Sequence, residues 1–337
     1  MAATAARRGR VTLVAFPSKC YLCSMSLKFY LAPLRGVTDV IFRSAFERYF
    51  GKIDYLLTPF ITTVKGKEVA LRHLKDIVGS ENDRKRVIPQ IIGNNPDDLL
   101  LLAKHIHLSG YTTVNWNLGC PHPLVTKKKR GSGLLPLPDL VMSILDHVVP
   151  ALPGKLSVKV RLGLNDDAEL ERLMPLLNDY PLDEVIIHPR TGKQAYSGFV
   201  NLDRFAAAAA LCRHPIVYNG DIVSPDGFRS LQHRFPEVER WMIGRGVVHQ
   251  LTLLDSLRTG TERKGDPVVL RRFHDELFKE NGRVLSGSSH LLGKMKEFWG
   301  YFASNFNSGK SLLKKIQRCA TIDQYQHRVD EAFGEIS

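Results

Sequence analysis

The sequence predicts an α/β protein: a (β/α)8 barrel over residues 27–259, followed by a small all-helical domain over 260–337. Three observations carry this. From Leu27 on, short β-branched or apolar runs alternate with amphipathic stretches, the pattern of repeated βα units. Eight such units fit the available length, since a barrel of this kind occupies roughly 250 residues. Beyond about Thr259 no strand signal appears and only helical spacing continues.

In chain order, strands are expected at Leu27–Leu31, Ile53–Thr58, Val87–Ile92, Thr113–Asn117, Leu156–Arg161, Glu184–His188, Pro215–Asn219 and Arg240–Ile243. They are dense in apolar residues rather than alternating, as parallel strands buried on both faces are. Helices are expected at Asp39–Tyr49, Pro96–Ser109, Pro138–Val148, Asp167–Asn178, Leu202–Cys212, Pro225–His233 and Val247–Leu257. Asn95-Pro96 and Ser224-Pro225 each put a capping side chain before a proline at the first helical position. The rival architecture, an open doubly wound sheet, has fewer strands and a glycine-rich first turn. Here the first strand runs into Ala32-Pro33-Leu34-Arg35-Gly36, with no GxGxxG.

In the tail, Val268–Glu280, Ser289–Phe302, Leu312–Arg318 and Ile322–Phe333 show helical spacing. Leu291, Leu292, Met295, Phe298, Trp299 and Phe302 form a broad apolar stripe, so the segment packs on a core of its own or a shared one.

Composition narrows the function classes. Apolar residues make up 44% and charged residues 24%, which excludes global disorder. Forty-seven Lys and Arg against thirty-four Asp and Glu leave a net charge of +13, which points to a polyanionic partner such as nucleic acid or a membrane surface. No apolar run approaches the roughly 20 residues of a membrane helix, so a soluble, cytoplasmic chain is expected. Five scattered cysteines exclude a disulfide scaffold and fit a reducing compartment. Residues 1–26 form a basic, acid-free extension, expected to be disordered; a transit-type peptide and an over-extended start before Met25 are alternatives. Cys20 and Cys23 form a lone CxxC there, too little for a zinc site, and no metal is expected.

In such barrels the catalytic groups sit at the C-terminal ends of the strands. Gln90 lies in the third expected strand, Asn117 and Cys120 close the fourth, and Lys159 and Arg161 lie in the fifth. His188 and Arg190 follow in the sixth, Asn219-Gly220-Asp221 ends the seventh and Gly244-Arg245-Gly246 the eighth. Each has a plainer structural alternative. Lys159 can snorkel from a strand, His188 can be a hydrogen-bonded core residue, and Asn219-Gly220-Asp221 can be a turn. Cys120 can be a small buried hydrophobe. Their joint occurrence at one end of one architecture favours a ligand site, because a buried Lys and His are costly without a polar partner.

Gly220, Gly244 and Gly246 allow backbone N–H groups close to phosphate oxygens, with Arg245 as a charged donor. A phosphorylated ligand is the first inference. Cys120, between Gly119 and Pro121, sits in a tight turn where a thiol can act as nucleophile or proton donor. Lys127-Lys128-Lys129-Arg130 follows; such a run is ordinarily a solvated face, but beside this cysteine it suits a phosphate backbone.

Several segments, taken in order, carry a resemblance. They are Leu31-Ala32-Pro33-Leu34-Arg35-Gly36-Val37-Thr38-Asp39 with Phe42-Arg43, Gln90, Asn117-Leu118-Gly119-Cys120-Pro121, and Gly131-Ser132-Gly133-Leu134-Leu135. Ser157-Val158-Lys159-Val160-Arg161-Leu162-Gly163, His188-Pro189-Arg190-Thr191 with Gln194 and Tyr196, Asn219-Gly220-Asp221, and Met242-Ile243-Gly244-Arg245-Gly246 follow. At these spacings the chain resembles the tRNA-dihydrouridine synthases of bacterial type, flavin enzymes that reduce uridine in tRNA. It departs from the family's common pattern at Leu34-Arg35 and at Pro189.

The resemblance implies FMN across the barrel mouth, with NADPH as reductant. Pro33, Gln90, Lys159 and His188 would hold the flavin ring and ribityl chain. Asn219, Gly220, Asp221, Gly244 and Arg245 would hold the phosphate end, and Asn117 would orient flavin or base. A flipped uridine would stack on the flavin and take a hydride at carbon 6. Cys120, as a neutral thiol, would protonate carbon 5. Arg35, Lys127, Lys128, Lys129, Arg130, Arg190, Tyr196 and Lys294 would grip the tRNA, with the helical domain as a tRNA-binding module. A monomer with no membrane association is implied, and the tail spacing leans toward enzymes acting near the tRNA elbow.

Rival readings carry their own signatures. An FMN barrel reductase of a small pyrimidine or other small molecule needs neither the basic loop nor the helical tail. A Schiff-base aldolase using Lys159 needs no flavin. A non-catalytic RNA-binding barrel does not need Cys120.

Overall fold

Strands dense in Val, Ile and Leu need burial on both faces, which a parallel sheet wrapped in helices provides. In the computed structural model, which describes residues 27–334 except 67–68 and 80–81, they form one parallel sheet. Its strands are β1 (Lys28–Leu31), β2 (Tyr55–Leu57 and Ile61–Thr62), β3 (Val87–Ile88 and Gln90–Ile92) and β4 (Thr113–Leu118). They continue as β5 (Lys155–Gly163), β6 (Leu182–Thr191), β7 (Ile216–Asn219) and β8 (Arg240–Ile243). Each strand pairs with the next, and Phe29 of β1 lies opposite Trp241 of β8. The ring closes at β2 and β3, where Leu56 faces Val87 and Ile61 faces Ile91. This is the expected (β/α)8 barrel.

Two strands are interrupted, and prolines account for it. Pro59 breaks β2 and Pro89 breaks β3, because proline has no N–H for the ladder. β5 and β6 run further than expected, to Gly163 and Thr191. Their register shifts between Arg161 and Gly163, which accommodates Pro189 as a bulge.

The barrel helices are α1 (Val40–Phe50), α2 (Pro96–Leu108), α3 (Pro138–Ala151), α4 (Glu169–Leu177), α5 (Leu202–Leu211), α6 (Pro225–Arg234) and α7 (Leu253–Thr259). Asn95 and Ser224 cap α2 and α6 as expected, by accepting from Asp98 N and Gly227 N. Two expectations need correction. The β2–β3 connection has only the single turn Leu71–Leu74 among the described residues, so the eight strands do not alternate with eight full helices. The helix expected at Val247–Leu257 is two pieces, Arg245–His249 and α7.

The tail is α8 (Pro267–Val284), α9 (Ser288–Phe302), α10 (Gly309–Arg318) and α11 (Ile322–Gly334). It shares its core with the barrel. Phe42 of α1 meets Phe273 of α8 at 5.8 Å and Phe298 of α9 at 6.5 Å, and one apolar cluster runs through both parts. The stripe on α9 is buried at Leu292, Met295, Phe298, Trp299 and Phe302. No single helix among the described residues is long and apolar enough to cross a membrane. The basic extension, with Cys20 and Cys23, lies outside the described residues.

Candidate active site

The C-terminal ends of the strands open into a cleft of about 710 Å³. Strand direction forces the strand-end residues to one mouth, and the structure collects them there. Pro33, Arg35, Gln90, Asn117, Cys120, Lys159, His188, Tyr196, Asn219, Gly220, Asp221, Gly244 and Arg245 all line it.

A chain of side-chain amides leads to the cysteine. Asn117 Oδ1 accepts the backbone N–H of Gly119 at 3.0 Å and of Cys120 at 2.8 Å. Its Nδ2 therefore faces the other way and donates to Gln90 Oε1 at 2.7 Å. Gln90 Nε2 donates to Asn115 Oδ1 at 2.8 Å, and Asn115 Nδ2 to Ser157 Oγ at 2.9 Å. On the outer side, Ser132 N and Oγ both donate to Cys120 O at 3.1 Å. Gly131 has a φ of +57°, and a Cβ there would lie 2.6 Å from Cys120 O. The Gly131-Ser132-Gly133 motif thus clamps the cysteine loop. Burial pushes the Cys120 thiol above its ordinary range, against a weaker pull from the His122 N–H and from Arg161, Arg35 and Lys159. It stays a protonated thiol at neutral pH.

The floor is cationic. Lys159 makes no hydrogen bond among the described residues, and desolvation together with Arg161 pushes its ammonium down to about 7. Arg161 is buried and ties two loops together. It donates to Gly119 O at 2.9 Å, Thr191 O at 2.9 Å and Ala195 O at 2.7 Å. His188 is held well below its ordinary range by burial and by Arg161, Lys159, Arg190 and Arg245. Arg190 Nη1 lies 3.2 Å from its Nε2, so the neutral ring carries its proton on Nδ1. Tyr196 sits between Arg161 and Arg245, whose guanidinium carbons lie 5.4 and 4.4 Å from its ring.

A model of the family described as Dihydrouridine synthase (Dus) matches residues 30–336. This chain belongs to the dihydrouridine synthase family. Among curated proteins, "Probable tRNA-dihydrouridine synthase 1" of Synechocystis sp. is 28% identical over 323 residues, covering 90% of each chain. "tRNA-dihydrouridine synthase B" of Serratia marcescens is 27% identical, covering 88% of this chain and 85% of its own. "tRNA-dihydrouridine(16) synthase" of Ralstonia nicotianae is 25% identical, covering 92% and 97%. Among solved structures, morphinone reductase superposes with a TM-score of 0.52 at 10% identity, covering 72% of this chain and 88% of its own. That likeness shows the barrel fold alone.

Two cations assigned to tRNA from the sequence of this dihydrouridine synthase family member, Arg190 and Lys294, are engaged within the protein instead. Arg190 is only 2% exposed and does not face solvent. It forms a two-pronged pair with Asp221, at 2.9 and 2.5 Å, and donates to Gly198 O at 2.7 Å. Asp221, at a φ of +41°, also lies 3.7 Å from Arg245. Its carboxylate is thus paired with two arginines, so it holds Arg190 and Arg245 at the cleft wall. Lys294 reaches back from α9 to Gly36 O at 2.8 Å and to Asp39, which ties the tail to the β1 loop. Asn219 Nδ2 donates to Met242 O at 2.9 Å and joins β7 to β8. Lys127, Lys128 and Lys129 are exposed outside the cleft, beside the cysteine loop, and Arg130 Nε donates to Asn94 Oδ1 at 3.1 Å.

Residues not assigned from the sequence also reach the cleft. Phe60 arrives from the break in β2, under Arg35 at 5.9 Å, and His249 and Tyr301 arrive from the last barrel loop and from α9. Pro59 marks the break, but nothing in the sequence places Tyr301 there. The donor set suits a large anionic ligand. Lys159 lacks an acceptor among the described residues, and Arg35 and Arg245 stand at the walls.

Proposed function

We propose that this chain is a tRNA-dihydrouridine synthase that reduces uridine in tRNA to 5,6-dihydrouridine, with FMN as bound cofactor and NADPH as reductant. The observation that carries the reading is the Cys120 loop, fixed by Asn117 and Ser132 at the edge of a cationic cleft in a member of this family, with burial favouring the neutral thiol. FMN, when bound, supplies the hydride for carbon 6 of the uracil ring.

The chain's own residues do the rest. Lys159 supplies positive charge to the ligand's electron-rich edge, and the neutral His188 offers an N–H. Gln90 and Asn117, with their polarity set by the Cys120 backbone, orient what binds above them. Arg245, in the cleft wall between Gly244 and Gly246, suits a phosphate. Cys120 Sγ holds the proton that carbon 5 receives, and a thiol kept above its ordinary range is protonated at the start of each cycle. The exposed Lys127–Lys129 suit the tRNA backbone, where contacts give affinity and register but not base identity.

A lysine lowered to about 7 is also what a Schiff-base enzyme uses. The family and the fixed thiol favour uridine reduction. The test is to incubate the purified protein with FMN, NADPH and an unmodified tRNA transcript and to read the tRNA by mass spectrometry. A gain of two hydrogens on uridine supports the reading, and unchanged RNA contradicts it.

A further inference from the structure

Phe199 is 90% exposed on the loop that follows β6, three residues beyond Tyr196, which lines the cleft. The loop follows β6 and is hydrogen-bonded along its length. Thr191 N donates to Gln194 Oε1 at 2.8 Å, Ser197 N to Gln194 O at 2.8 Å, and Asn201 N to Pro189 O at 2.7 Å. Gly198 O, next to Phe199, accepts from the buried Arg190 at 2.7 Å, and Arg190 is locked to Asp221 in the cleft wall. On the other side, Val200 packs so tightly on Gly220 that a Cβ there would lie 2.9 Å from Val200 Cγ1. The exposure is therefore built into the loop.

Two further apolar side chains are exposed on loops at the same end of the barrel. Leu124 on the cysteine loop is 70% exposed, and Val223 after β7 is 59% exposed and lines the cleft. The same end of the barrel carries cations, with Lys193 exposed on the Phe199 loop, Arg245 in the cleft wall and Lys127–Lys129 just after Leu124. Cations alone suit a phosphate backbone. An aromatic face and aliphatic tips on the same set of loops suit a partner that shows phosphates and unstacked bases together, which is single-stranded or loop RNA.

We propose that Phe199 is a positioning residue for the reaction, stacking on a nucleotide that flanks the target uridine and filling the space that base leaves when it enters the cleft. This rests on the function proposed above. Extruding a base costs a few kcal/mol of lost stacking, and an apolar wedge in the gap offsets part of that cost.

The test uses the full-length flavin-loaded protein as wild type, Phe199→Ala and Phe199→Trp. The uridine reduced by wild type is mapped first. Transcripts with an abasic site on either side of that uridine are then compared. Expected is an approximately tenfold loss of kcat/KM in Phe199→Ala, carried by KM, with recovery in Phe199→Trp and unchanged reduction of the flavin by NADPH. The abasic transcript costs wild type a similar factor, and Phe199→Ala little more. Activity of Phe199→Ala within about twofold of wild type overturns the proposal while the proposed function stands. Losses that multiply on the abasic transcript overturn it likewise. A wild type that reduces no uridine overturns both.

Discussion

The side-chain oxygen of Asn117 accepts the backbone N–H of Cys120 at 2.8 Å, and that bond fixes which way the next three polar side chains point. With Oδ1 committed, Nδ2 donates to Gln90, Gln90 donates to Asn115, and Asn115 donates to Ser157. The reactive thiol and the floor of the barrel are thus one hydrogen-bonded unit. Asn117→Asp keeps the acceptor for Cys120 but sets a carboxylate against Gln90 Oε1. Expected is a fall in kcat of about 10–100-fold, since small misplacements at a reacting centre cost that much. Steady-state rates with tRNA, compared with the protein's melting temperature, separate this from unfolding.

Cys120→Ala removes the proton donor and nothing that binds flavin. Turnover is expected to fall about 10²–10⁴-fold with flavin retained. The pH profile follows from the raised thiol. The required form is the acid, so the rate holds through neutral pH and falls only as pH rises past the ordinary thiol range. Single-turnover oxidation of the reduced protein by tRNA, followed against pH, checks both points.

Lys159 separates stability from function. Its folded-state pKa of about 7 lies below the 10.5 of an unperturbed lysine, so the unfolded chain binds more protons between these values. This group therefore lowers the stability of the ligand-free protein fully below pH 7, and the penalty fades as pH rises toward 10.5. Lys159→Met is expected to melt a few degrees higher without ligand at pH 6.5 and to bind flavin more weakly. Paired thermal melts and flavin titrations at pH 6.5 and 9 decide it: the melting gain should shrink at the higher pH.

Replacing Lys127, Lys128 and Lys129 together with Gln is expected to weaken tRNA binding and to reduce the slope of log K against log salt by about two to three. Flavin affinity should not change, because these side chains lie outside the cleft. Binding isotherms at several salt concentrations measure this, and an unaltered slope removes the loop from the interface.

Much of the site was legible because parallel strands all end at one mouth. Asn117, Lys159, His188 and Arg245 could be placed together from strand order alone. What was not legible depends on long-range docking. Lys294 reads as a free basic residue until α9 brings it to Asp39, 255 positions away, and the same docking delivers Tyr301. Arg190 reads as an RNA contact until Asp221 takes both its prongs from 31 positions away. A cation's sequence neighbours do not show which acid the fold will set against it. The broken strands were closer to hand, since Pro89 lies inside the expected third strand and cannot donate to a ladder.

The central claim is that one cleft takes electrons from NADPH and gives them to tRNA. The most direct test is an anaerobic absorbance record of the purified, FMN-supplied protein, first with NADPH and then with tRNA lacking dihydrouridine. Flavin bands are expected to bleach with NADPH and to return on adding tRNA. Bands that bleach and stay bleached, or a protein that takes up no flavin, would contradict it.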